Sequence, residues 1–371
     1  MRLLIVSDYY STWDIGGASR VLNTQVEGLL KNERIERIEL ISGYPGDDAK
    51  EKVDITWYRK KYKSVGYLPF LFFKMLSLRF KQCPDIVHVH QPLSGFFAAL
   101  VFMGIPKVYH FHSFWFDEKD SHSDGSLRLK VVNSFKRFIE NFTLKQFKSF
   151  VVLSQFSKNK LKGVIGNKDI HIIPGCLDLD QWSAKPSQNS SEEFSFISVR
   201  RLDPRMGLDV LLNAFATICI DNNCKLTIVG TGRDEQKLHD LRKELSLQEN
   251  VIFTGRISDN ELKEEISKAS CMVIPTKSIE GFGMTVIEAF AMGLPVLATK
   301  SGALVEFCEY DEVFHAVEKS EVTLLDEGLR YALNSFKDRE SMRKKCRKVA
   351  SVFDIHNICG KYIDIYKELK C

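Results

Sequence analysis

The chain has 371 residues, 44% of them hydrophobic and 27% charged, which is the composition of an ordinary globular protein long enough for two domains. No run of 18 or more apolar residues occurs, which excludes a transmembrane helix. Nine singly scattered cysteines without a Cys-x-x-Cys pair exclude a disulfide frame and fit reduced thiols in the cytoplasm.

The first segment, Met-Arg-Leu-Leu-Ile-Val-Ser-Asp, is too short and polar for a signal peptide and predicts a buried strand at Leu3–Val6. Trp13-Asp-Ile-Gly16-Gly17-Ala-Ser-Arg20 follows. Paired glycines opening a helix admit a phosphate close to the backbone, and a plain tight turn is the alternative. Further strands are expected at Ile38–Ile41, Ile86–Val89, Lys107–Phe111, Val151–Leu153 and Ile170–Ile173. After the polar stretch Ser183–Glu193, which reads as a linker, they continue at Phe194–Val199, Lys225–Val229, Val251–Phe253, Met272–Ile274 and Val296–Ala298. Helical patterns such as Asp209–Ile220, Asp259–Ala269 and Ile355–Leu369 lie among them. Strand–helix alternation of this kind predicts α/β architecture, a parallel sheet covered by helices on both faces, once in each half.

Charge divides along the same line. Residues 1–185 carry 27 Lys+Arg against 19 Asp+Glu, or +8; residues 186–371 carry 25 against 29, or −4. Two stretches of the first half combine cations with aromatics. Trp57–Lys81 holds Arg59, Lys60, Lys61, Lys63, Lys74, Arg79 and Lys81 with no acid, and Leu127–Phe150 holds six cations against Glu140 alone. Such stretches suit an anionic membrane surface, or else a solvated face over ordinary core aromatics. No nucleic-acid reading motif accompanies them, so nucleic acid is not expected.

Two His-x-His pairs, His88-Val-His90 and His110-Phe-His112, stand at strand ends, and period-two alternation puts both members of a pair on one sheet face. Four imidazoles on neighbouring strands suit zinc, but no Asp or Glu is spaced as a further ligand, and hydrogen-bonded histidines are the plainer reading. No metal site is therefore expected.

The most telling string is Glu280-Gly281-Phe282-Gly283-Met284-Thr285-Val-Ile-Glu288. Gly281 and Gly283 allow close backbone approach and left-handed dihedrals. The helix start that follows is an anion site. If the segment is mostly helical, eight residues advance ~12 Å, the length of a sugar–diphosphate–ribose unit, so the two carboxylates can hold hydroxyls at either end of a nucleotide-sugar; the alternative is a helix N-terminal charge at Glu280 and a solvated position at Glu288.

This string resembles the Glu-x7-Glu motif of the retaining GT-B glycosyltransferases of the large family-4 group, and the resemblance covers nearly the full chain. It implies two Rossmann-like, doubly wound domains facing a central cleft: residues 1–188 for the acceptor, residues 189–353 for the nucleotide-sugar, and residues 354–371 as a helix crossing back. Within it, Gly16 and Gly17 match the loop whose amides face the donor diphosphate, and His112 the histidine under the donor sugar. Val199-Arg-Arg201-Leu-Asp-Pro-Arg205-Met-Gly207 matches the Gly-Arg-Leu…Lys-Gly loop, whose cations neutralise the leaving diphosphate in place of a metal. Here Arg201 is kept, Arg200 stands for the usual glycine and Met206 for the usual lysine, with Arg205 the candidate second cation. Gly230, Gly232, Arg256 and Ile257 resemble nucleotide-contacting loops. Asp178-Leu-Asp180 matches a structural turn. The resemblance thus implies a metal-independent retaining hexosyltransferase using no cofactor. Its donor would be a UDP-, GDP- or ADP-sugar and its acceptor a glycan or lipid-linked hydroxyl. Its place would be the cytoplasm or the inner membrane face, in polysaccharide or glycolipid synthesis. The departure at Met206 leaves open a non-catalytic homologue that binds nucleotide-sugar or glycan in a biosynthetic complex.

Overall fold

The computed structural model describes residues 1–7, 17–43, 52–57, 67–114, 127–182 and 193–370. The chain forms two compact units, one of Met1–Cys176 with Ile355–Cys371 and one of Leu177–Asp354. Most of the expected linker, residues 183–192, lies outside the described residues, as does Gly16.

In the first unit the strands are β1 (Arg2–Ser7), β2 (Arg37–Ser42), β3 (Val53–Trp57), β4 (Ile86–Val89), β5 (Lys107–Phe111), β6 (Ser149–Val152) and β7 (Asp169–Ile172). They form one parallel sheet in the order β3-β2-β1-β4-β5-β6-β7. Between them run α1 (Gly17–Leu30), α2 (Leu68–Lys81), α3 (Pro92–Val101), α4 (Leu127–Gln146) and α5 (Gln155–Ile165). The central strands are apolar on both faces because helices cover both. On one face Leu22, Val26 and Leu29 of α1 meet Ile358, Tyr362 and Tyr366 of the C-terminal helix Ile355–Lys370. The helices approach so closely at Gly28 that a Cβ there would lie 2.0 Å from Cys359 Sγ. On the other face Leu71, Met75, Phe102 and Phe147 pack on the sheet.

The second unit repeats the plan with β8 (Phe194–Val199), β9 (Cys224–Val229), β10 (Val251–Gly255), β11 (Cys271–Ile274), β12 (Val296–Thr299) and β13 (Phe314–Val317). The order is β10-β9-β8-β11-β12-β13, all parallel. Its helices include α6 (Leu208–Cys219), α7 (Glu235–Glu244), α8 (Asp259–Lys268) and α9 (Met284–Ala291). A full capping box at Ser258 and Glu261 starts α8.

All eleven expected strands are present, with ends shifted by a residue or two. Two more were not foreseen: β3 and β13. Both are edge strands, paired on one side only, so the buried run that betrays a central strand is missing from their sequences. The winding reverses between β1 and β4 in the first sheet and between β8 and β11 in the second. Ligands of open α/β sheets bind beyond the carboxyl ends of the strands at such points.

Candidate active site

In the second unit two loops flank the switch point, Arg200–Gly207 after β8 and Pro275–Gly283 after β11. Asp203 caps a single 3-10 turn, Pro204–Met206, by accepting from the Arg205 N–H, and Gly207 then turns left-handed at φ +72°. A side chain at Gly207 would strike the Pro275 carbonyl, 1.8 Å from its Cβ. Lys277 N–H donates to the Arg205 carbonyl at 2.9 Å, tying the loops together.

The three arginines of the first loop have different fates. Arg201 is exposed and has no side-chain partner among the described residues. Arg205 is exposed too, its Nε 3.7 Å from Asp203, a carboxylate that also meets Arg233 at 3.2 Å. Arg200 is buried. Its Nη2 donates to Glu280 Oε2 at 2.7 Å and to Thr276 Oγ1 at 2.5 Å, while the Thr276 hydroxyl donates to Met206 Sδ at 3.8 Å. A guanidinium survives burial only with such partners.

Glu280 itself is about a quarter exposed along its side chain. Its carbonyl accepts from Ala303 N–H at 2.9 Å, and Gly302, at φ +58°, presses so close that a Cβ would lie 2.3 Å from that oxygen. Of the two glycines that follow, Gly283 is left-handed at φ +104° and Gly281 is not. Gly283 opens α9 without any side-chain cap, and the Val286 N–H turns back on the Gly283 carbonyl at 2.9 Å. Phe282 and Met284 turn inward, Phe282 meeting Phe307 at 5.7 Å. Thr285 is half-buried with its hydroxyl unpartnered among the described residues, and Glu288 is almost fully buried.

Gly230 and Gly232 have an internal reason to be glycine. A Cβ at either would lie 2.0 Å from the Arg200 carbonyl and 2.1 Å from the Leu202 carbonyl respectively. These glycines let β9's loop lie against the arginine loop. Gly230 N–H also donates to the Gly255 carbonyl at 2.9 Å, bringing the Arg256–Ile257 loop alongside, with Arg256 exposed and Ile257 half-buried. Asp178 spends its carboxylate within its own turn, on the Asp180 N–H and the Gln181 amide.

In the first unit the four histidines form one stack. Neighbouring ring centroids lie 4.9 Å apart for His88–His90, 4.7 Å for His90–His110 and 4.6 Å for His110–His112. His88 Nδ1 is 2.6 Å from the Tyr366 hydroxyl and 3.2 Å from the Gln25 amide; His90 Nδ1 is 3.1 Å from His112 Nε2. Burial lowers the pKa of His88 to about 3 and of His112 to about 4, and holds His90 and His110 well below the usual value. All four are neutral near pH 7. Ring nitrogens of His88, His90 and His110 come within 4.8 Å of one another. The rings are inclined by only 18° to 27°, so their in-plane lone pairs run side by side, whereas a tetrahedral ion requires convergence. Gly17 begins α1.

Within the second unit the structure therefore gathers Arg201, Arg205, Glu280, Gly230, Gly232 and the Arg256–Ile257 loop at one edge, with the start of α9 beside them. Within the first unit it sets His112 at the end of the histidine stack. Two residues escaped the sequence reading as site members, Arg200 and Thr276. Arg200 had a signal: a charged residue where the matching motif carries glycine.

The chain is similar to known proteins. The model of Glycosyltransferase Family 4 matches residues 15–181, and that of Glycosyl transferases group 1 matches residues 180–349. An uncharacterized glycosyltransferase of Methanocaldococcus jannaschii is 25% identical over 379 residues, covering 100% of this chain and 99% of its own. The N-acetylgalactosamine-N,N'-diacetylbacillosaminyl-diphospho-undecaprenol 4-alpha-N-acetylgalactosaminyltransferase of Campylobacter jejuni is 30% identical over 60% of this chain and 62% of its own. The structure of HepE from Anabaena in complex with UDP and glucose superposes with a TM-score of 0.76 at 18% identity, over 99% of both chains.

Proposed function

From the premise that this chain belongs to the glycosyl transferases group 1 and has the GT-B fold, we propose that it is a retaining, metal-independent hexosyltransferase. It moves a sugar from a nucleotide-sugar to a hydroxyl of a glycan or lipid-linked acceptor, in cell-surface polysaccharide or glycolipid synthesis. One observation carries the reading: the uncapped start of α9, with Glu280 ahead of it and Glu288 inside it, follows β11 at the switch point where the loop after β8 exposes Arg201 and Arg205. Amides and guanidinium groups of this kind stabilise the charge that grows on a departing diphosphate. His112, neutral and less deeply buried than its three neighbours, lies under the donor sugar in this reading.

The donor class is supported by HepE, whose structure holds UDP and glucose. The acceptor class is supported by the Campylobacter enzyme, whose name specifies a diphospho-undecaprenol substrate. A further support lies on the first unit. Phe70, Phe73 and Phe80 of α2 and Phe135 and Phe138 of α4 are 47% to 80% exposed. Phe72–Phe97 and Phe96–Phe142 ring contacts fix α3 between these two helices. Lys74, Arg79, Lys81, Lys136 and Arg137 share the two elements with them. Exposed aromatics among cations suit the surface of an anionic bilayer, at the cytoplasmic face. Among the described residues no helix is long and apolar enough to cross a membrane.

The test is release of nucleoside diphosphate from UDP-glucose, UDP-N-acetylglucosamine or GDP-mannose in the presence of EDTA, with the product anomer read by NMR. Turnover with retained configuration is expected. Glu280→Ala should lower turnover about 10- to 100-fold and Glu288→Ala should raise the donor Kd, each losing charge-assisted hydrogen bonds to hydroxyls. Donor binding without release, whatever the acceptor, would favour the non-catalytic alternative.

A further inference from the structure

Arg200 is an arginine with 9% of its surface exposed, at the carboxyl end of the strand where the second sheet reverses its winding. A guanidinium carries five N–H donors. Nη2 uses its two on Glu280 Oε2 and Thr276 Oγ1, and Nε–H is buried without a partner among the described residues. Both backbones of the Arg200–Glu280 pair are fixed by glycines from other loops. Gly230 lies against the Arg200 carbonyl and Gly302 against the Glu280 carbonyl, each too close for a side chain. The pair bridges the two loops that flank the switch point, which is where a ligand of such a sheet sits.

We infer that Arg200 is a positioning residue for Glu280: the guanidinium holds the carboxylate by Oε2 and leaves Oε1, unpartnered among the described residues, to accept from the donor. Glu280 then meets the hydroxyls of the donor sugar with a carboxylate held in one orientation. This inference rests on the reading that Glu280 belongs to the donor site. Thr276 completes the device. Its hydroxyl accepts from Arg200 and donates to the Met206 thioether, so the neutral side chain at 206 and the cation at 200 meet on one oxygen. A second cation at position 206 would face the guanidinium across that hydroxyl; the uncharged thioether spares Arg200 this repulsion.

A double-variant cycle tests it. Nucleoside diphosphate release is measured for wild type, Arg200→Ala, Arg200→Lys, Glu280→Gln and Arg200→Ala/Glu280→Gln, with whichever of UDP-glucose, UDP-N-acetylglucosamine and GDP-mannose turns over fastest. Arg200→Ala should lower kcat tenfold or more while KM moves less than threefold. Millimolar guanidinium should restore part of the rate, and Arg200→Lys should fall between the alanine variant and wild type. The double variant should be no slower than the slower single one, because Arg200 acts through Glu280. Multiplied losses in the double variant, or a wild-type kcat in Arg200→Ala, would overturn the inference. A wild-type kcat in Glu280→Gln would instead remove Glu280 from the donor site and take the inference with it. If Arg200→Ala melts below the assay temperature, Arg200→Gln, which keeps an amide donor on a shorter uncharged side chain, makes the same comparison.

Discussion

The two units share a winding but differ in how they treat ionisable groups buried at the carboxyl ends of their strands. In the first unit four imidazoles stack along the ends of β4 and β5 with no counter-charge among them, and burial keeps them neutral. In the second a guanidinium is buried too and keeps its charge, because a carboxylate and a hydroxyl meet it at hydrogen-bonding distance. A group whose pKa lies near neutrality escapes the desolvation penalty by losing its proton. Arginine has no such escape, so it demands a partner. The same fold therefore yields an uncharged floor in one unit and a charged clamp in the other.

Acid should separate the two most strongly. The folded-state pKa values of the four histidines lie below the unfolded value of 6.5. Between about 6.5 and the range of 3 to 4 set by His88 and His112, the unfolded chain binds more protons. Stability of the first unit is thus complete above pH 6.5 and falls as pH falls, by as much as about 1.4 kcal/mol per pH unit for each buried histidine. In the second unit burial lowers His315, which is half-buried and stands outside any such stack. Hydrogen exchange should show amides of β4 and β5 losing protection between pH 7 and 5 well before those of β8 and β11. Equal protection in both units over that range would break the comparison.

A smaller effect should distinguish the outer surfaces. The first half carries the excess cations, and its α2 and α4 carry the exposed phenylalanines. Burying a phenylalanine in an apolar medium contributes about 1.5–3 kcal/mol, unscreened by salt, whereas each cation contributes about 1 kcal/mol that salt removes. Vesicles with anionic lipid should bind the protein, and high salt should leave a residual affinity that Phe73→Ser/Phe80→Ser/Phe135→Ser abolishes. Full release of the wild type by salt would assign the binding to charge alone.

The smallest expected effects concern the exposed cations of the second unit. Arg205→Ala should cost roughly tenfold in turnover by removing a charge that faces the departing diphosphate. Met206→Lys should also lower turnover, since its ammonium would approach the Arg200 guanidinium across Thr276. If Arg205→Ala is silent and Met206→Lys raises activity, the site is one that has lost a cation, and the Arg200 clamp is not what replaces it.

Much of this was legible along the chain. Alternating apolar runs and helical patterns gave the two doubly wound sheets, because strands buried on both faces are apolar in sequence. His112, Arg201, Arg205 and the Glu280–Glu288 string could be placed at strand ends by local spacing alone. What the sequence could not contain were distances between residues far apart in it. Arg200 and Glu280 are 80 residues apart and His88 and Tyr366 are 278 apart; they meet because the winding reverses beside β8 and because the last helix packs on the first sheet. The glycines at 230 and 232, expected at the nucleotide, are also points where two loops touch, a packing reason the sequence does not show. Burial, too, is decided only in three dimensions. Periodicity told which face the histidines were on, and tertiary packing set how much water remained there, and hence whether they kept a charge.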